Sequence, residues 1–141
     1  MTHMLLDAAN QRLTGVPQPQ RIALLVEDEW LIRMEIADAL DDAGWIVIEA
    51  GSGEEAIALF ANGGHADLLI TDIRLPGELS GWDLAARLRA LEPGLAVIYA
   101  SANPAVEALQ VAGSLFIGKP SRTSALIAAC EQLWDSAPHA R

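Results

Sequence analysis

The chain has 141 residues, a length that favours one domain with a sizeable core. Its net charge of −10 argues against non-specific attraction to nucleic acid or to an anionic membrane, since both need cations to displace counterions. No apolar run approaches the roughly 18 residues that cross a bilayer, and the single cysteine, Cys130, excludes an internal disulfide framework and fits a reducing, cytoplasmic setting. Residues 1–20 read as an N-terminal extension. A short helix over 5–13 leads into "TGVPQPQ", an extended stretch. Regular alternation begins at Arg21. "RIALLVE" predicts a buried strand, and "WLIRMEIADALDDAG" a helix with Ile32, Ile36, Ala39 and Ala43 on one stripe, stopped at Gly44. "WIVIEA" is a second strand. "SGEE" fits a capping box and opens a helix facing inward through Ala56, Leu59 and Phe60. "ADLLITD" is the third strand. "SGWD" resembles another N-cap, before a helix with Leu84, Leu88 and Leu91 inward. "LAVIYAS" is the fourth strand, and "NPAVEALQVAG" predicts at most a short helix with Pro104 in its first turn. "SLFIG" is the fifth strand. The last helix presents Leu126, Cys130 and Leu133, and residues 137–141 form a tail too short to hold an output domain.

The strands are continuous apolar runs separated by helices, the mark of a parallel sheet covered on both faces. The expected architecture is an α/β, flavodoxin-like, doubly wound five-stranded sheet of order 2-1-3-4-5, with a short or irregular fourth helix, over residues 21–136. In that order strands one and three are neighbours at the switch point, where ligands bind outside the strands' carboxyl ends. Strand one ends in "EDE" (27–29) and strand three in Asp72. Carboxylates crowded on one rim repel unless a cation sits among them. A hard divalent cation fits oxygen donors, and Mg²⁺ is the natural choice because it keeps waters and a position for phosphate. Strand four brings the Ser101 hydroxyl to this rim, and strand five the Lys119 ammonium. A carboxylate can act as a nucleophile and form an acyl phosphate, with ammonium and hydroxyl neutralising the transferred oxygens. The histidines, His3, His65 and His139, share no metal-ligand spacing.

These residues in this order resemble the response-regulator receiver domains of two-component signalling, over about residues 21–135: Glu27 and Asp28, Asp72, Ser101, and Lys119-Pro120. The resemblance implies that Asp72 accepts a phosphoryl group from a histidine on a sensor kinase or phosphotransfer protein. It implies Mg²⁺ on Asp28, with Glu27 assisting and the backbone carbonyl of Arg74 completing the site. Ser101 would shift toward the phosphoryl group, Phe116 would be the aromatic that changes rotamer, and the Lys119-Pro120 bond would be cis. Output would pass through the fourth helix, fifth strand and last helix to an unknown downstream protein, without direct contact to nucleic acid or membrane. Three departures from the family stand out. Glu27 replaces the frequent Asp, Phe116 replaces the frequent Tyr, and the stretch from Ser101 to Lys119 is shorter than usual.

Among competing readings, a haloacid-dehalogenase-like phosphohydrolase expects Asp-x-Asp where this chain has "EDEW", and a Toprim-like domain expects it where Arg74 stands. The expected activity is therefore that of a signalling domain, not of an enzyme that turns over a substrate. A phosphate sink for a kinase, or a receiver-like docking scaffold, are the alternatives. Of the four tryptophans, Trp45, Trp82 and Trp134 are expected to pack, while Trp30 fits a partner-docking or a helix-packing role equally.

Overall fold

The computed structural model describes residues 20–119 and 121–137. The lead-in through residue 19 with its helix at 5–13, Pro120 with its expected cis bond, and the tail from 138 lie outside the described residues. The strands are β1 (Ile22–Val26), β2 (Ile46–Ala50), β3 (Leu68–Thr71), β4 (Ala96–Ser101) and β5 (Leu115–Gly118). The helices are α1 (Trp30–Asp42), α2 (Gly53–Ala61), α3 (Gly81–Leu91) and α4 (Thr123–Ser136). All strand pairs are parallel and the order is β2-β1-β3-β4-β5, as the sequence pattern predicts.

Alternate residues of each strand feed two cores. Leu24, Val26, Leu69, Val97 and Tyr99 pack under Leu84 and Leu88 of α3 and Ala56 of α2. Leu25, Ile70, Ile98 and Ala100 pack under Ile36 and Leu40 of α1 and Leu126 and Cys130 of α4. Each fully buried leucine contributes about 1.5–3 kcal/mol, so the central strands dominate stability. Burial pushes the Cys130 thiol up to about 12 and leaves it a small apolar core residue.

Several expectations about faces are corrected. Leu59 and Leu91 are exposed, while Phe60 of α2 and Leu84 and Leu88 of α3 do pack on the core. On α1 the fully buried residues are Ile36, Ala37 and Leu40, and Ile32, Ala39 and Ala43 only flank them. β2 is an edge strand and leaves Ile46 and Glu49 in solvent rather than burying a continuous run. Ser80 and Asp83 form a complete capping box. The Ser52 cap is different. Its hydroxyl accepts from Glu55 N, but Glu55 reaches past it to Gly51 N (2.6 Å). The fourth helix is reduced to one 3-10 turn, Glu107–Leu109, anchored where Val111 N donates to Tyr99 Oη and Arg89 donates to Ala112 O. Trp45 is buried edge-on to Trp134, and the Arg21 guanidinium lies 4.5 Å over the Trp45 ring. Trp30 is 60% exposed at the head of α1, which removes the packing reading for it.

At the amino-terminal end of the sheet, His65 bridges two loops. Nδ1 lies 2.7 Å from Glu92 Oε1 and Nε2 lies 3.2 Å from Asp67 Oδ1. Only the imidazolium can donate from both nitrogens. The Glu92 bond raises the His65 pKa; desolvation opposes it, and the Asp67 bond with the two carboxylate charges adds to the rise. A raised histidine stabilises fully below its unfolded value of about 6.5, and this stabilisation disappears as pH climbs through the higher folded value. Half the ring is in solvent, so after screening the effect stays below about 1 kcal/mol. Thermal melts should therefore show the wild type losing more stability than His65→Gln between pH 6 and 8.5. Parallel pH curves would refute the bridge.

Candidate functional site

The ladder continues one residue beyond the strands and fixes the rim. Asp72 N donates to Val26 O (3.1 Å), Glu27 N to Ala50 O (3.1 Å), and Lys119 N to Ser101 O (2.9 Å). Backbone pairing thus sets Glu27, Asp72 and Lys119 at the carboxyl ends of β1, β3 and β5. There Lys119 Nζ lies 2.5 Å from Glu27 Oε1 and 3.2 Å from Asp72 Oδ2, so one ammonium joins the two acids. Glu27 is only 3% exposed. Burial raises its carboxyl above the usual range, and the Lys119 bond and charge offset part of that rise. Burial alone would lower the Lys119 pKa, but Glu27, and then Asp72, outweigh it and hold the ammonium above the ordinary lysine value. Asp72 Oδ1 also accepts from Ile73 N at 2.6 Å, which orients the carboxylate.

Two close approaches hold this loop. Gly81 N donates to Ile73 O at 2.7 Å, and a Cβ on Gly81 would stand 2.1 Å from Asp72 O. Only glycine lets the head of α3 press against the acid-bearing turn. The Glu54 carboxylate, on α2, accepts from Glu78 N (2.9 Å) and Leu79 N (3.3 Å) and ties down the far side of the loop.

Asp28 is exposed beside Glu27, and its carboxylate has no hydrogen-bond partner among the described residues. The Arg74 carbonyl likewise accepts no hydrogen bond among them. These free oxygens, with the Asp72 and Glu27 carboxylates, make a hard donor set whose chemistry suits Mg²⁺. Among the described residues no three acidic, His or Cys side chains close on one point, and Lys119 bridges Glu27 and Asp72.

Ser101 is the last residue of β4 and is fully buried; its Oγ accepts from Asn103 N (3.2 Å) and Asn103 Nδ2 (3.1 Å). Phe116 is half-buried, 6.2 Å from and nearly parallel to Trp82, whose ring also lies 4.6 Å from Tyr99. Nothing in the sequence pattern singles out Arg33. Its Nη1 donates to Glu27 O (2.7 Å) and its Nε to Glu49 Oε1 (3.2 Å), buttressing the end of β1 from α1. Asn103 and Gly81 are equally unmarked. An apolar cavity of about 390 Å³ opens next to Lys119, between Ile32 and Ile36 of α1 and Leu126 of α4.

A doubly wound parallel sheet with two acids and an ammonium joined at its β1–β3 switch point defines a flavodoxin-like domain with its chemistry on the carboxyl rim. The chain belongs to the response regulator receiver domain family, whose sequence model matches residues 23–131. Over 117 residues it is 38% identical to the transcriptional regulatory protein PdtaR of Mycobacterium tuberculosis, covering 80% of this chain and 56% of that protein. The chain thus spans about half the length of the curated relatives it matches. A response regulator receiver protein from Sinorhizobium medicae WSM419 superposes with a TM-score of 0.79 at 31% identity, covering 83% of this chain and 96% of that one. The response regulator protein TrrA from Thermotoga maritima, in complex with Mg(2+)-BeF, superposes with a TM-score of 0.72 at 28% identity, covering 81% and 99%. The protein is therefore a receiver domain of two-component signalling, in a family that takes phosphate from sensor histidine kinases.

Proposed function

We propose that Asp72 is the phosphoacceptor and that this chain signals through protein contacts after a histidine of a sensor kinase or phosphotransfer protein has phosphorylated it. The observation that carries this reading is the Lys119 ammonium between the Glu27 and Asp72 carboxylates. Ile73 N holds Oδ1 at 2.6 Å, and Asp72 Oδ2, held more loosely by Lys119 at 3.2 Å, is the oxygen that attacks. It forms a bond to phosphorus as the P–N bond to the donor imidazole breaks, and the electron pair leaves with that nitrogen. Lys119 can then turn part of its charge from Asp72 to a transferred oxygen while Glu27 keeps it protonated and in place. Mg²⁺, held by Asp28, Asp72 and the Arg74 carbonyl with Glu27 assisting, would neutralise the phosphoryl oxygens when bound.

The donor protein has an apolar landing site beside the rim, since Trp30, Leu31 and Met34 are all exposed on α1. On the output side, Phe116 rests against Trp82, and its movement would be the step that alters the face formed by the 3-10 turn, β5 and α4. Beryllofluoride, a phosphoryl mimic, tests the reading. It should quench or enhance tryptophan fluorescence only when Mg²⁺ is present, with saturation at one equivalent per chain. Binding that ignores Mg²⁺, or none at all, would leave only a docking scaffold.

A further inference from the structure

We propose that Asn103 is a positioning residue for phosphoryl transfer, which holds the Ser101 hydroxyl as a hydrogen-bond donor. The inference rests on the Asp72 reading above and concerns how this chain prepares its serine. A hydroxyl has two acceptor lone pairs and one proton to give. Both lone pairs of Ser101 are taken by Asn103, one by its backbone N–H at 3.2 Å and one by its side-chain amide at 3.1 Å. The remaining proton meets no acceptor among the described residues, although Ser101 has no exposed surface. Buried donors almost always find a partner, so an unused one calls for a reason.

The strand end cannot simply turn away. Ser101 O accepts Lys119 N, and β4 is bound to β3 with Tyr99 opposite Thr71. Ala100 is therefore level with Asp72, and Ser101 lies one step beyond. The acceptor that suits this proton is an oxygen of a phosphoryl group on Asp72, which only the phosphorylated protein supplies. A bland explanation for Asn103 is an Asx turn, in which the side-chain oxygen accepts from a backbone N–H two residues on. Here the side chain instead gives its nitrogen to Ser101.

The test uses beryllofluoride affinity at saturating Mg²⁺ and the rate of labelling by acetyl phosphate, with thermal melts as a folding control. Asn103→Ala should weaken beryllofluoride about tenfold, the scale of one hydrogen bond to a charged group, and slow labelling, with an unchanged melting temperature. Asn103→Asp should be worse than Asn103→Ala, because a carboxylate only accepts and draws the serine proton to itself. In a Ser101→Ala background, Asn103→Ala should add nothing. Wild-type affinity in Asn103→Ala or Asn103→Asp, or effects that simply add in the double variant, would overturn the inference. A wild type that binds no beryllofluoride would overturn the Asp72 reading, and this inference with it.

Discussion

Asp72→Asn should carry no phosphoryl group after incubation with acetyl phosphate and Mg²⁺, while the wild type should gain one per chain by intact mass. The variant keeps the oxygen that accepts Ile73 N, and its amide has nearly the shape of the carboxylate. It loses the negative charge that makes Oδ2 a nucleophile, because a neutral amide offers phosphorus no comparable electron pair. It also loses the ion pair with Lys119, but the ammonium keeps its shorter contact to the nearly buried Glu27. Folding should therefore survive, and the loss of labelling reports chemistry rather than collapse. The size of the effect separates the candidates on this rim. Glu27 is held in an ion pair and buried, and Asp28 sits in solvent, so neither is a ready substitute nucleophile. Labelling of Asp72→Asn at the wild-type level would place the acceptor elsewhere and remove the basis of the proposed function.

The sheet order was legible because parallel strands buried on both faces leave contiguous apolar runs, and the central strands here do so. The rim was legible for the same reason. A charged residue directly after such a run must lie at a strand's carboxyl end, which places Glu27, Asp72 and Lys119 before any coordinate is known. What remained hidden depends on three-dimensional neighbours. Leu91 continues the helical spacing of Leu84 and Leu88, yet it stands in solvent at the last residue of the helix. Gly81 looks like an ordinary first-turn residue until the Asp72 carbonyl is seen against its Cα. Arg33 belongs to a polar helix face, and only the packing of α1 on β1 gives it a carbonyl to hold. The fourth helix, by contrast, was legible: the sequence predicts a short or irregular one, and the structure keeps a single 3-10 turn, Glu107–Leu109, beside anchors at Val111 and Ala112.

Lys119→Met is the second large effect, and it separates chemistry from stability. The methionine keeps the apolar stem but removes the only cation bonded to Glu27 or Asp72 side-chain oxygens among the described residues. Removal of one preorganised electrostatic partner of a transferred oxygen typically costs about 100-fold or more, and labelling by acetyl phosphate should slow by at least that much. Stability also falls. Two charges 4 Å apart interact by about 4 kcal/mol at an effective dielectric of 20, and stripping one partner from a buried pair leaves the other's desolvation unrelieved, so a loss of about 3 kcal/mol is expected. This loss has a pH signature. Burial already raises the Glu27 pKa, and the variant removes the main opposing influence, so it rises further. An acid raised in the folded state costs nothing below its unfolded pKa of about 4.3, and the penalty grows as pH climbs through the folded value. The ammonium of the wild type stabilises throughout that window, because its own raised pKa keeps it charged until pH exceeds the ordinary lysine range. Urea unfolding should therefore show a wide gap between wild type and Lys119→Met at pH 8 that narrows toward pH 5, as Glu27 takes up a proton and no longer needs its partner. A constant gap would mean that Glu27 is not the group Lys119 compensates. Unimpaired labelling would mean that the ammonium has no part in the transfer.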